Sequence, residues 1–223
     1  MTNTLIIIPA YNEQDVIIKT MEQIIAFTDK HDFDYVVIDD GSKDKTRELL
    51  QQHQINYISH STNLGIGEPF KTGIEYGLEK GYTKFINFDA DGQHSLDSLH
   101  TLVEYGDYDY VVGSRYIEAK KPFTVRTFGS RVLSLAIKFK TGRTIADPTS
   151  GLLLINNLEF AKYYISQASN RPEPSIYPKI VKKFKVKEVQ VQMENRVGGS
   201  SYFNPYNSIH FMLEQLFLIV LKG

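Results

Sequence analysis

Apolar positions in this chain fall into short runs separated by polar, Gly- and Asp-rich stretches, and runs of strand character alternate with segments of helical period. Leu5-Ile6-Ile7-Ile8 is a continuous apolar run stopped by Pro9, the pattern of a strand buried on both faces. Val16, Ile17, Met21, Ile24 and Ile25 recur at helical spacing, with Asn12 placed to cap that helix. Tyr35-Val36-Val37-Ile38 repeats the buried-strand pattern and ends in Asp39-Asp40-Gly41-Ser42. Asp44 precedes a polar helix through Leu49 and Leu50, and residues 55–59 make a brief third strand. A helix over 65–81 opens at Gly67 and Pro69, because Pro is tolerated in a first turn. A strand over 84–88, a helix over 96–105 and a strand over 108–113 follow.

The second half is less regular. Residues 116–131 carry Lys120, Lys121, Arg126 and Arg131 with Pro122 and Gly129 between them, which suggests a mobile loop running into a basic helix over 125–141. Residues 146–151 form a turn before an apolar strand over 152–155. Three prolines within 170–178 predict a surface connection, 186–193 alternates like an edge strand, and 196–201 is a Gly/Ser loop. The segment 208–221 predicts an apolar helix. Strands alternating with helices imply an α/β domain around a mainly parallel sheet. There is no internal repeat and no linker separating two independent domains.

In such sheets ligands sit at the carboxyl ends of the strands. Those ends carry Pro9 to Glu13, Asp39 to Ser42, Asp89 to His94 and Gly113 to Arg115. The stretch Asp89-Ala-Asp-Gly-Gln-His94 is the most pointed of them. Side chains two apart in an extended segment face the same side, so Asp89 and Asp91 can present oxygens to one hard cation such as Mg²⁺ or Mn²⁺, with Gln93 and His94 just beyond. Taken alone, the pair reads more readily as an acidic turn after a strand. Asp40 and the backbone of 9–11 are placed to accept hydrogen bonds from a nucleobase or ribose.

Composition narrows the field. The 223 residues, 42% hydrophobic and 23% charged, describe an ordinary globular chain of one large domain, or a domain with an appendage. A formal net charge of −1 argues against a general nucleic-acid binder, and the absence of cysteine removes thiolate chemistry and disulfides. The run 5–9 is too short and lacks the basic flank of a signal peptide, and no run reaches the roughly 20 apolar residues of a membrane span, so a cytoplasmic site is expected. No G-x-G-x-x-G follows the first strand, no P-loop is present and no G-x-S-x-G elbow occurs, which disfavours dehydrogenase, P-loop NTPase and serine-hydrolase readings.

The motifs I-P-A-Y-N-E (8–13), V-I-D-D-G-S-K-D-K-T (37–46), N-L-G-I-G (63–67), K-T-G (71–73), D-A-D-G-Q-H (89–94), G-S-R (113–115) and D-P-T-S-G (147–151) occur in order. Together they resemble glycosyltransferase family 2, in the branch of dolichyl-phosphate mannosyltransferase and bacterial polyprenyl-phosphate glycosyltransferases, over 4–201. The resemblance implies the glycosyltransferase A-type fold, a UDP- or GDP-linked sugar donor, a divalent metal, and inversion at the anomeric carbon. It implies a catalytic domain over 1–205, with 206–223 as a C-terminal helix at a membrane interface or oligomer contact.

Residue by residue, Pro9, Tyr11, Glu13, Asp39, Asp40 and Lys71 would line the donor site, although Lys71 reads equally as a solvated helix lysine. Asp89 and Asp91 would hold the donor diphosphate and the metal, with Gln93 completing the metal site and Asp91 stabilising the leaving group. Arg115, Arg126, Arg131 and Arg196 resemble the arginines that grip an acceptor phosphate, a task suited to the planar guanidinium fork. Asp147 would shape the acceptor site and is the candidate base for a hydroxyl acceptor. The leading expectation is hexose transfer to undecaprenyl or dolichyl phosphate by an enzyme peripheral on the inner face of the cell membrane. A polysaccharide-building transferase and a non-catalytic subunit docking on a membrane partner are the alternatives. Glu68-Pro69-Phe70 departs from the small residues usual there. The helix over 209–221 is apolar nearly all round, broken only by His210, Glu214 and Gln215, which suits lipid, an oligomer contact or a protein core.

Overall fold

The structure, a computed structural model, describes residues 3–90, 94–167, 174–192 and 205–222, with the backbone alone at 125–126, 205–208 and 222. Seven strands form one sheet: β1 (Thr4–Ala10), β2 (Asp34–Asp39), β3 (Tyr57–Ser59), β4 (Lys84–Asn87), β5 (Tyr110–Ser114), β6 (Leu153–Ile155) and β7 (Val186–Gln190). Their order is β3-β2-β1-β4-β6-β5-β7. All neighbours are parallel except β6, which runs antiparallel to both β4 and β5. The mainly parallel sheet is as expected, and β7 is the edge strand that its alternation predicted. The single reversed strand was not visible in the sequence.

Helices cover both faces, which is why the central strands are apolar at successive positions. Leu5 and Ile7 of β1 pack with Phe85, Val112 and Ile155 beneath α3 (Glu68–Lys80), α5 (Val125–Thr141) and α6 (Leu158–Ile165). Ile6 and Ile8 point the other way, with Val37, Ile86 and Leu154, against α1 (Ile17–Thr28), α2 (Thr46–Gln52) and α4 (Asp97–Val103). The short α7 (Tyr177–Ile180) and the C-terminal α8 (Pro205–Lys222) lie on the first of these sides, with Tyr177, Ile180 and Ile219 fully buried.

Three local expectations change. Asn12 does not cap α1: it takes a left-handed conformation, φ 55°, and its Oδ1 accepts from the Lys43 N–H at 2.8 Å, tying the β1 loop to the β2 loop. The stretch 170–178 is not wholly a surface connection, because Ile176 and Tyr177 are buried at its end. Helix α6, capped by the Asn157 side chain on Phe160 N, falls where no helix was expected. The basic helix α5 has the predicted bounds. Thr124 accepts from Thr127 N, and the Thr127 side chain accepts from Thr124 N, so the two close a reciprocal cap.

Candidate active site

The carboxyl ends of β1, β2, β4 and β5 converge, and the polar motifs meet there. On the β2 side the two aspartates are structural anchors. Asp39 is wholly buried and accepts from Ser42 N at 3.0 Å, Arg47 Nε at 3.0 Å and the Ser59 hydroxyl. Burial pushes its carboxyl up, but the bonds from Ser42, Ser59 and Arg47 outweigh this and hold it below the ordinary carboxylate value. Asp40 accepts from Leu64 N at 2.9 Å, Gly65 N at 3.1 Å and His60 Nδ1 at 2.8 Å. Since Asp40 is an acceptor, Nδ1 carries the imidazole proton, and in the neutral ring Nε2 accepts from Thr72 Oγ1 at 2.9 Å. Gly41 completes this clamp: at φ +69° it passes so close to Thr62 that a Cβ would stand 2.4 Å from the Thr62 carbonyl carbon.

Lys71 is buried, not solvated. Its Nζ donates to Glu68 Oε1 at 2.8 Å and to the Gln167 carbonyl at 2.7 Å, joining α3 to the end of α6. Around β1, Pro9 and Glu13 are half-buried and Tyr11 is exposed, and Glu13 N donates to Thr46 Oγ1 at 2.8 Å.

Asp89 lies just past β4, with 40% of its side chain exposed. Asn87 Nδ2 donates to the Gly151 carbonyl at 2.6 Å and reaches Asp89 Oδ1 at 3.4 Å, and His94 Nε2 stands 3.5 Å from Oδ2. The His94 ring rests edge-on against Phe88, which favours the hydrogen-bonding and packing role for this histidine. A Cβ at Gly151 would stand 2.5 Å from Asp89 Oδ2, so the bare glycine is what leaves room for this carboxylate. Its accessible hard oxygens fit a divalent cation. Among the described residues no group of three or more His, Asp or Glu side chains is arranged to hold a metal, and Asp91 and Gln93 lie outside the described residues.

Beyond β5, Arg115 holds Asp147 with Nε at 2.6 Å from Oδ2 and Nη2 at 2.9 Å from Oδ1. Burial lowers the Arg115 pKa, but its bond and charge interaction with Asp147 outweigh this and raise it, with Tyr116 and Asp89 adding to the rise. Lys121 Nζ donates to Ser130 Oγ at 2.9 Å, and Arg131 Nη2 to the Lys121 carbonyl at 2.8 Å. Arg115 and Lys121 both stand over the Tyr116 ring, at 5.1 and 5.2 Å. Burial, and then the neighbouring Arg115 and Arg131, push the Lys121 ammonium below its ordinary pKa, against the pull of Asp147 and Glu188. Three cations therefore gather past the end of β5, and the Asp89 charge acts on one of them, Arg115. The Arg126 side chain and Arg196 lie outside the described residues.

Residues 5–157 match the sequence profile described as Glycosyl transferase family 2. The chain belongs to that family. It is 31% identical over 172 residues to the UDP-N-acetylglucosamine–dolichyl-phosphate N-acetylglucosaminyltransferase of Methanococcus voltae, covering 66% of each chain. It is also 31% identical over 163 residues to the polyprenol monophosphomannose synthase of Mycolicibacterium smegmatis, covering 66% of this chain and 59% of that one. The chain thus spans no more than about two thirds of the length of either relative. In fold it resembles glucosyl-3-phosphoglycerate synthase from Mycobacterium tuberculosis in complex with Mn²⁺, UDP-glucose and phosphoglyceric acid. That match has a TM-score of 0.69 and 16% identity, over 99% of this chain and 79% of that one. A mannosyltransferase from Pyrobaculum calidifontis in complex with GDP-Man and Mn²⁺ gives 0.64 and 16%, over 99% and 64%.

Within this family 2 chain, Asp147 does not suit the part of a base. It is wholly buried, and both oxygens are engaged by Arg115, so it serves as that arginine's counter-ion. Sequence reading missed His60, Glu188 and Gln190. Glu188 accepts from Ala146 N at 2.6 Å and Asp147 N at 2.8 Å, while Gln190 Oε1 accepts from Ile117 N and Glu118 N, both at 3.0 Å. The two stand two apart on β7 and pin the loops that carry Asp147 and Arg115. The period-2 pattern could have flagged their common face, but not the loops it meets. His60 sits one residue past β3, at the same edge of the sheet as the ends of β1, β2, β4 and β5 where the strand-end motifs were sought.

Proposed function

We propose that the protein transfers a hexose from a nucleotide-diphosphate sugar to a polyprenyl phosphate, with inversion and with Mg²⁺ or Mn²⁺. The observation that carries this is the gathering of Arg115, Lys121 and Arg131 past the end of β5, with Arg115 feeling the Asp89 charge, which suits an anionic acceptor placed against a donor diphosphate. The named relatives act on dolichyl or polyprenol phosphates, which points the same way.

In this reading the 60–65 loop, held by Asp40 and His60, frames the nucleoside together with Pro9, Tyr11 and Glu13. Asp89, with Asp91 and Gln93, would hold the divalent cation, which when bound supplies Lewis-acid stabilisation of the leaving diphosphate. Arg115, Lys121 and Arg131, joined by Arg126 and Arg196, would grip the acceptor phosphate and orient one oxygen toward the anomeric carbon. A phosphate is already ionised near neutral pH and needs no base. A sugar hydroxyl does need one, and the engagement of Asp147 with Arg115 favours the phosphate acceptor over the polysaccharide alternative.

The test is a panel of UDP- and GDP-sugars carrying a radiolabel, incubated with undecaprenyl or dolichyl phosphate and Mg²⁺ or Mn²⁺. Label in a lipid-extractable, mild-acid-labile product is expected. Label found only in polysaccharide would favour the hydroxyl-acceptor transferase, and no transfer from any donor would favour a non-catalytic subunit.

A further inference from the structure

Helices α5 and α8 pack on one another on the same side of the sheet, with Met212 of α8 against Gly129 of α5. Each has one buried face. Leu133 and Ile137 of α5 enter the core, as do Ile219 and, just beside it, Phe211 of α8. Gln215 is wholly buried as well, its Oε1 accepting from Ser175 N at 3.0 Å. Their outward faces are apolar too. On α5, Phe128, Leu135 and Phe139 are 55%, 68% and 91% exposed, and at 3.6 residues per turn they fall within about 40° of one another. On α8, Leu213, Phe217 and Leu221 are 57%, 58% and 64% exposed. The N-terminal approach to α5 adds Phe123, 89% exposed, with Arg131 stacked over its ring at 4.7 Å. So large an exposed apolar face marks an interaction surface.

Charge selects the occupant. Residues 119–146 hold seven Lys or Arg and no Asp or Glu, in a chain whose formal net charge is −1. Among them, Arg131 and Lys138 fall along one side of the Phe128–Leu135–Phe139 stripe. A second copy meeting this face across a two-fold axis would oppose cation to cation. An anionic bilayer surface meets both requirements, taking the aromatic and aliphatic side chains into the acyl boundary and the cations among the headgroups.

We infer that α5 and α8 together form a lipid-docking face, with α5 as its principal, charge-selective half. Among the described residues no helix is long and apolar enough to cross a membrane, so the contact is interfacial. The face runs into the Arg115, Lys121 and Arg131 cluster through Phe123, which would let a lipid-borne phosphate reach the site from the headgroup layer. This last point rests on the proposed acceptor; the docking itself does not.

The experiment is co-sedimentation of the full chain, without donor or acceptor, with vesicles of phosphatidylcholine alone or mixed with phosphatidylglycerol. Binding to the mixed vesicles should exceed binding to the neutral ones by about tenfold or more and weaken as salt is added. Leu135→Glu with Phe139→Glu should reduce that binding by about tenfold while leaving the melting temperature unchanged, since both side chains already face solvent. Leu213→Glu with Phe217→Glu serves as the α8 comparison. Wild type that binds neither vesicle, an α5 variant that binds like wild type, or an α5 variant whose only change is loss of a dimer would each overturn the inference. Transfer to a short, water-soluble prenyl phosphate should survive the α5 change. If wild type transfers to no acceptor, the proposed function fails while the vesicle result stands by itself.

Discussion

Arg115 grips Asp147 through two guanidinium nitrogens and, at 3.3 Å, through its own backbone N–H. The carboxylate is wholly buried and 18% of the Arg115 side chain is exposed. This fixes the fork in one orientation at the end of β5, with an edge left toward the site. A buried pair of this kind is costly to break from one side, because the remaining charge loses its partner.

Asp147→Asn should therefore destabilise the protein by about 3 kcal/mol, the low end of the range for buried pairs because Arg115 keeps some solvent contact. Urea denaturation measures this. Pairing it with Arg115→Met should recover much of the stability and leave transfer abolished. An Asp147→Asn protein of wild-type stability and activity would return Asp147 to a peripheral role.

Lys121→Ala and Arg131→Ala should each weaken acceptor use, raising its KM or lowering kcat. Each removes a charge-assisted contact worth about 1.5–3 kcal/mol, or roughly 10- to 160-fold. Donor binding by calorimetry should hold. If the donor affinity falls instead, these cations belong to the diphosphate.

His60→Ala should reduce donor affinity by about tenfold and leave acceptor KM unchanged, because it removes the Nδ1 donor that helps fix Asp40 and through it the 60–65 loop. Calorimetry with UDP and GDP reads this without turnover. Equal nucleotide binding by variant and wild type would show that the loop holds without the imidazole.

Gly151→Ala places a Cβ 2.5 Å from Asp89 Oδ2 and must displace that carboxylate. The Mn²⁺ or Mg²⁺ concentration needed for half-maximal donor turnover should rise, with little loss of thermal stability. Unchanged metal dependence in both Gly151→Ala and Asp91→Ala would remove the metal from this end of the sheet.

The Asp39 carboxyl, held below its ordinary value of 3.8, adds stability that is fully present above that pH and is lost as pH falls through its lower folded value. Asp39→Asn should thus lower the melting temperature at neutral pH, with the gap to wild type closing below about pH 4. A gap that persists unchanged into acid would mean that geometry, rather than charge, is what Asn fails to supply.

Local chemistry and period were enough to determine much of this protein. The continuous, mostly β-branched run 5–8, stopped by Pro9, points to a strand covered on both faces, and the bounds of α5 follow from Thr124 as cap and Gly142 as stop. The gathering of Asp39, Asp40, Asp89 and Arg115 at one sheet edge follows once the strands are parallel. Tertiary structure decided the rest. An apolar run such as 153–155 carries no mark of direction, so the antiparallel β6 depended on which neighbours were free to pair. Asp147 is read as a base or as a counter-ion only when Arg115, 32 positions away, is seen against it. Helix α8 is apolar nearly all round, and its sequence cannot say which side is core. Burial of Gln215 against the Ser175 N–H does, turning Leu213 and Phe217 outward. Periodicity reports that a face is apolar; what covers it is settled by contacts between distant parts of the chain.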